Sequence, residues 1–245
     1  MTRFLNRLAS FVVPVFTWVF VALDTLIVFI VIALLKPVDR RERISYKVAN
    51  FWGKSIVRAN PLWKIKVSGR SFIQKNHSYV LVANHTSLAD IVCLYCLGKN
   101  FKWIAKKSLF RIPFLGWTMS LLNYIPLSRG KHGSIRDSFQ EAEECLKKNI
   151  SVLFFPEGTR SRTGALGEFK NGAFKLAIQC KRPIVPIVLR GTGEALSKGK
   201  AAMATKVNGS VKVLAPVETS GYDLSRYEEL KRKVWNLMNE ELSQA

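Results

Sequence analysis

The chain has 245 residues and carries 38 lysines and arginines against 17 aspartates and glutamates, a formal net charge of +21. Hydrophobic residues at 48%, with 15 glycines and 9 prolines, exclude a disordered chain and a collagen-like fibre, and four cysteines are too few for a disulfide framework. So positive a chain predicts a polyanionic partner: nucleic acid, an acidic membrane surface or a phosphorylated small molecule.

The first element is apolar. From Phe11 to Leu35 one formal charge, Asp24, interrupts the run. At about 1.5 Å per residue such a helix reaches across a hydrocarbon core about 30 Å thick. It is too long for a secretory signal, and no small-residue cleavage site follows it. Two arrangements fit: a single tilted span, or a shallow helical hairpin broken near Asp24, since a mid-bilayer aspartate costs about 2.5–3.5 kcal/mol. The basic flank is heavier after the run (Lys36, Arg40, Arg41, Arg43, Lys47) than before it (Arg3, Arg7). That asymmetry predicts that the rest of the chain faces the cytoplasm, resting on anionic lipid headgroups.

From about residue 45 the pattern becomes mixed, which divides the chain into a membrane-associated helical segment, 1–45, and a domain, 46–245. Trp63, Ile65 and Val67 alternate with Lys64 and Lys66, as in a strand with one wet face. Tyr79 to Ala83 reads as a buried strand and Leu88 to Leu97 as a helix. Ser134 to Lys148 is an amphipathic helix, with Ser134 and Asp137 spaced as a capping box. Ile150 to Phe155 is a second buried strand, and Gly172 to Cys180 a further helix. Ile184 to Leu189 is strand-like, but Pro186 predicts an edge or irregular position. After a strand at Val211 to Leu214, the residues from Leu224 to Met238 put one apolar face on a final helix. The alternation predicts an α/β fold, a central mostly parallel or mixed sheet flanked by helices and preceded by a membrane-anchoring helix or hairpin.

Three segments carry chemistry. Asn84-His85-Thr86-Ser87-Leu88-Ala89-Asp90 follows the first buried strand. Five residues apart on one helix, His85 and Asp90 would not share a face. They meet if His85 lies in the loop and Asp90 in the first helical turn, and a carboxylate that orients an imidazole in this way is what a general base requires. Phe155 to Arg162, containing Glu157, Gly158, Thr159 and Arg160, follows the second buried strand, where open α/β sheets place ligand loops. Arg160 offers a bidentate phosphate grip and Thr159 a hydroxyl, while Gly158 permits close backbone approach. Glu157 reads as a partner for a substrate hydroxyl or for the neighbouring arginines. The third segment runs from Lys102 through Lys106, Lys107 and Arg129 to Arg136, with cations interleaved with aromatics and no acid. That mixture suits nucleic acid or a membrane interface. Cys93 and Cys96 fall inside an apolar helix and read as core, and with Cys145 and Cys180 isolated no zinc spacing is present. Gly193 to Lys200 has five residues between its glycines rather than the four of a P-loop.

Together these segments resemble the glycerolipid acyltransferase family, most closely bacterial 1-acylglycerol-3-phosphate acyltransferases. The N-H-x-x-x-x-D block matches at Asn84, His85 and Asp90; the F-P-E-G-T-R-S block matches from Phe155 to Ser161. The K-x-x-L-x-x-I-P-x-x-G-W stretch and its arginine match from Lys106 to Arg129, and a V-P-I segment at Val185 to Ile187. Ser128 departs from the aspartate that many members carry there. The resemblance implies acyl transfer from a coenzyme A or acyl carrier protein thioester to the hydroxyl of lysophosphatidic acid. It implies His85 as base, Asp90 as its orienting partner, Lys107, Arg129 and Arg160 on the acceptor phosphate, and Glu157 and Gly158 shaping the glycerol site. No metal or prosthetic group is implied, and the site would lie at the cytoplasmic face of a bacterial inner membrane. A different lysolipid acceptor, such as a lyso-ornithine lipid, is the alternative within the enzyme class. A membrane-tethered nucleic-acid-binding protein is the alternative outside it, though no nucleic-acid module is recognisable.

Overall fold

The computed structural model describes residues 2–128, 130, 132–196 and 203–244. Arg129, Lys131 and the end of the Gly193–Lys200 stretch lie outside the described residues.

The apolar run forms one unbroken helix, α1 (Thr2–Leu35). The reversal comes after Leu35, not near Asp24, and leads into α2 (Arg43–Ala59). Asp24 stays within the helix because the Ser55 hydroxyl of α2 donates to its carboxylate at 2.5 Å. Two more bonds join the pair: Trp52 Nε1 donates to Thr25 Oγ1 (3.0 Å), and Thr17 Oγ1 donates to Asn60 Oδ1 (2.9 Å). α2 therefore lies antiparallel against α1 from residue 17 to the turn. Its start is fixed by Asp39, whose carboxylate accepts the backbone N–H groups of Arg43, Ile44 and Ser45 and the Ser45 hydroxyl. The boundary expected near residue 45 falls inside the first turn of α2. Gly53 lets α2 meet the next helix closely, since a Cβ there would come within 2.4 Å of Tyr95.

The remaining chain builds one seven-stranded sheet. Its strands are β1 (Trp63–Ser68), β2 (Val80–Ala83), β3 (Phe101–Lys106), β4 (Ile125–Leu127), β5 (Ser151–Phe154), β6 (Ile184–Arg190) and β7 (Val207–Val213), in the spatial order β1-β7-β6-β2-β5-β3-β4. Among the strands of the described residues, only β6 and β7 pair antiparallel. The helices between the strands are α3 (Ala89–Tyr95), α4 (Leu115–Leu121), α5 (His132–Lys147) and α6 (Gly172–Gln179), and α7 (Tyr227–Ser243) follows β7. Alternation along β2 assigns the faces. Leu81 and Ala83 pack into the core shared with Ile32 of α1, Ala49 of α2, α3 and Met119 of α4. Val80 and Val82 pack with Leu146 of α5, Phe174 of α6 and Leu230 and Val234 of α7.

Four expectations change. β6 lies inside the sheet despite Pro186. Ile184 exchanges both backbone bonds with Val217, so two residues on the Pro186 nitrogen faces the same side, in the gap between Val217 and the β7 pairing at Val213. The missing N–H thus falls where the ladder is interrupted. Ser134 is no N-cap: the α5 helix begins at His132, and the Ser134 hydroxyl accepts the Ser128 N–H (3.0 Å). Leu224 precedes α7 in a turn where Asp223 Oδ1 accepts the Ser225 and Arg226 N–H groups. Lys102 is no surface cation: it is 2% exposed, donates to Glu42 Oε2 (2.5 Å) and to the Leu122 carbonyl, and lies over the Tyr46 ring.

Candidate active site

Because β2, β3, β4, β5 and β6 run parallel, their carboxyl ends open on one edge, where ligands bind in such sheets. His85 follows β2, the Glu157–Arg160 loop follows β5, Lys107 follows β3 and Thr192 follows β6. Strands about 4.8 Å apart put the loops of β2 and β5 side by side and Lys107 two strands away. Arg129 follows β4 but lies outside the described residues.

His85 is in the loop and Asp90 in the first turn of α3, the placement that their spacing needed. Asp90 Oδ2 is 2.7 Å from His85 Nδ1 and also accepts the N–H groups of Thr86 (2.7 Å) and Ser87 (2.8 Å). With Asp90 as acceptor, Nδ1 carries the proton and the Nε2 lone pair is left for another partner. The His85 side chain is 16% exposed and that of Asp90 0%, so solvent reaches the imidazole but not the group behind it. One face of the ring is supported by Phe155, stacked at 4.0 Å between centroids. Asn84 anchors the loop start to β6, exchanging two bonds with the Leu189 backbone (2.9 and 2.8 Å).

The β5 loop is tied to the same residue. Glu157 Oε1 accepts the His85 N–H (2.9 Å), Oε2 accepts the Gly167 N–H (3.0 Å), and the His85 carbonyl accepts the Ser161 N–H (2.7 Å). Glu157 therefore orders backbone on both sides of the loop. Burial pushes its carboxyl above the ordinary range, and the two N–H bonds hold part of that rise back. Gly158 adopts a φ of 69°, in the left-handed region that glycine enters without strain. Thr159 is exposed and Arg160 half-buried beside it, while Lys107 is exposed at the start of a helical turn, Lys107–Arg111. Sequence reasoning did not find Phe155, although it opens the quoted block, or Thr192, which is fully buried with its hydroxyl 3.2 Å from that of Thr86. Among the described residues no group of three His, Cys, Asp or Glu could hold a metal ion. Cys93 packs in the core, and burial pushes its thiol well up. Chemically, the edge offers an oriented imidazole able to take and return a proton, next to cations suited to an anion.

The pattern of the Acyltransferase family matches residues 64–190. The chain is 38% identical over 185 residues to "1-acyl-sn-glycerol-3-phosphate acyltransferase LPAT1, chloroplastic" of Arabidopsis thaliana, covering 75% of this chain and 51% of that protein. It is 37% identical over 187 residues to the 1-acyl-sn-glycerol-3-phosphate acyltransferase of Saccharomyces cerevisiae, covering 74% of this chain and 60% of that one. The chain thus spans about half to three fifths of the length of these curated relatives. Its fold matches the crystal structure of the 1-acyl-sn-glycerophosphate (LPA) acyltransferase PlsC of Thermotoga maritima, with a TM-score of 0.84, 23% identity and 98% of each chain covered. The matched residues contain β2, β5, β6 and both loops of the candidate site, and on that match the chain belongs to the acyltransferase family.

Proposed function

We propose that the chain transfers an acyl group from a thioester of coenzyme A or acyl carrier protein to the sn-2 hydroxyl of 1-acylglycerol-3-phosphate, giving phosphatidic acid and a free thiol. The observation that carries the reading is the His85–Asp90 pair at the open sheet edge. His85 Nε2 takes the hydroxyl proton as the oxygen attacks the thioester carbonyl carbon. The tetrahedral intermediate collapses, the C–S bond breaks, and the proton on Nε2 passes to the leaving thiolate. Asp90 stabilises the charged ring that exists between these two transfers. Lys107, Arg160 and Arg129 hold the acceptor phosphate. Gly158 and Thr159 shape the glycerol site, and Glu157 contributes by fixing the loop. The thioester is a co-substrate, and the reaction draws on no further group.

The reaction takes place on a lipid surface. α1 contains a stretch, Val12–Leu35, long and apolar enough to cross a membrane. But α2, with Lys47, Lys54 and Arg58, is bonded along it, so a full span would carry those charges into hydrocarbon. A shallow hairpin of α1 and α2 in the cytoplasmic leaflet of a bacterial inner membrane accommodates both. Phe16, Leu23, Ile27 and Leu34 form its exposed apolar side, and the basic flank meets anionic headgroups.

The test is thiol release from palmitoyl-coenzyme A and palmitoyl-acyl carrier protein by detergent-purified protein, with and without 1-acylglycerol-3-phosphate. Wild type releases thiol only with the acceptor and forms phosphatidic acid, and His85→Ala lowers kcat by about 10³-fold or more. His85→Ala at the wild-type rate removes the proposed base. Wild type that acts only on another lysolipid removes the acceptor.

A further inference from the structure

A chain of hydrogen bonds runs from the His85 backbone to the middle of α7. His85 N–H donates to Glu157 Oε1 (2.9 Å), and Glu157 Oε2 accepts the Gly167 N–H (3.0 Å). The Gly167 carbonyl in turn accepts from Trp235 Nε1 (3.0 Å). The loop after β5 is closed at its base by the Lys170 N–H on the Pro156 carbonyl (2.8 Å). Its outer part, residues 162–165, is exposed, and the excursion is held against the domain on one side by the Ser161 N–H on the His85 carbonyl and on the other by Gly167. Trp235 is rigidly placed to hold it. Its neighbours Val234 and Met238 are fully buried in the core, which sets the rotation of α7. The contact is also tight, since a Cβ on Gly167 would lie 3.1 Å from Glu157 Oε2.

Glu157 is the middle of this chain and its burial is costly unless both oxygens keep their donors. Loss of the Trp235 bond frees the Gly167 peptide, and loss of the Gly167 N–H leaves Glu157 half satisfied. The displaced carboxylate then moves the His85 backbone, and small displacements of a reacting group cost rate out of proportion to their size. We infer that Trp235 is a positioning residue: through Gly167 and Glu157 it fixes the backbone on which the His85 imidazole is presented to the acceptor hydroxyl. The inference rests on the reaction proposed above.

The experiment is a double-mutant cycle on full-length protein in detergent, with palmitoyl-coenzyme A and 1-acylglycerol-3-phosphate as substrates and His85→Ala alongside. Trp235→Phe keeps an aromatic ring at this position and removes the N–H donor along with part of the indole. It lowers kcat about fivefold, with both KM values within about twofold of wild type. Gly167→Ala, which presses on Glu157 from the same point, lowers kcat by a similar factor. The double variant falls no further than the worse single, because both act through one chain. A merely structural role would lower the melting temperature without this split between kcat and KM. Trp235→Phe with kcat within about twofold of wild type, or single effects that multiply in the double variant, overturns the inference. If Trp235→Phe does not fold, Gly167→Ala decides alone, and a wild-type kcat in it overturns the inference. His85→Ala separates the two readings. Full activity there removes the reaction scheme, whereas its loss combined with an unaffected Trp235→Phe removes only the positioning role.

Discussion

Asp90 Oδ2 gathers His85 Nδ1 and two backbone N–H groups at one oxygen, so a single buried side chain sets both the ring and the loop. These two duties separate in Asp90→Asn. An amide oxygen in the same place still accepts the Thr86 and Ser87 N–H groups, so the melting temperature falls by only a few degrees, whereas the charge that stabilises protonated His85 is gone. The expected loss is about 10²–10³-fold in kcat with little change in KM, read by steady-state kinetics beside a thermal melt. This pair was legible in the sequence because both residues lie within one strand-loop-helix unit. The backbone partners of Glu157 were not, because His85 and Gly167 come from different parts of the chain. Lys102 was misread for the same reason, since its partner Glu42 is 60 residues away.

Asp39 shows what an element boundary depends on. Burial pushes its carboxyl up, but the Ser45 N–H and hydroxyl and the Arg43 and Ile44 N–H groups outweigh that and hold it below the ordinary 3.8. A depressed carboxylate contributes stability that is present above pH 3.8 and is lost as pH falls through its folded value. Asp39→Asn therefore destabilises the protein at pH 7 by about 1 kcal/mol, and wild type and variant converge as the pH drops below 3.8. Melts at pH 7 and at the lowest pH the fold tolerates check it. Strand and helix types followed from periodicity, as the alternation of Trp63, Ile65 and Val67 shows. Position within the sheet did not. Pro186 argues for an edge until the gap in its neighbour's pairing is seen, and β3 was hidden because Lys102 interrupts it with a charge that tertiary structure neutralises.

At the scale of the molecule, two parts meet: a basic, apolar-faced helical hairpin and a layered sheet with the candidate site at its edge. Glu42 joins them, accepting from Lys36 and Lys102 and from Asn123 in the turn before β4. The hairpin predicts membrane binding separable from chemistry. Leu23→Glu with Ile27→Glu, both more than half exposed, weakens co-sedimentation with anionic vesicles while thiol release in detergent micelles keeps the wild-type rate. Raising salt from 0.1 to 1 M weakens the same binding, as screening shortens from about 10 to 3 Å. Equal sedimentation of variant and wild type would place the membrane contact elsewhere. The sheet order has a kinetic consequence. The hairpin is closed by neighbours in the chain, but the reactive edge needs β2 joined to β5 and β6 through bonds spanning 72 and 105 residues. Such distant pairings form late in folding. A nascent chain therefore acquires the exposed apolar face of its helical hairpin before His85 is aligned, and under the proposed reaction the site becomes competent only after that face is available to a bilayer.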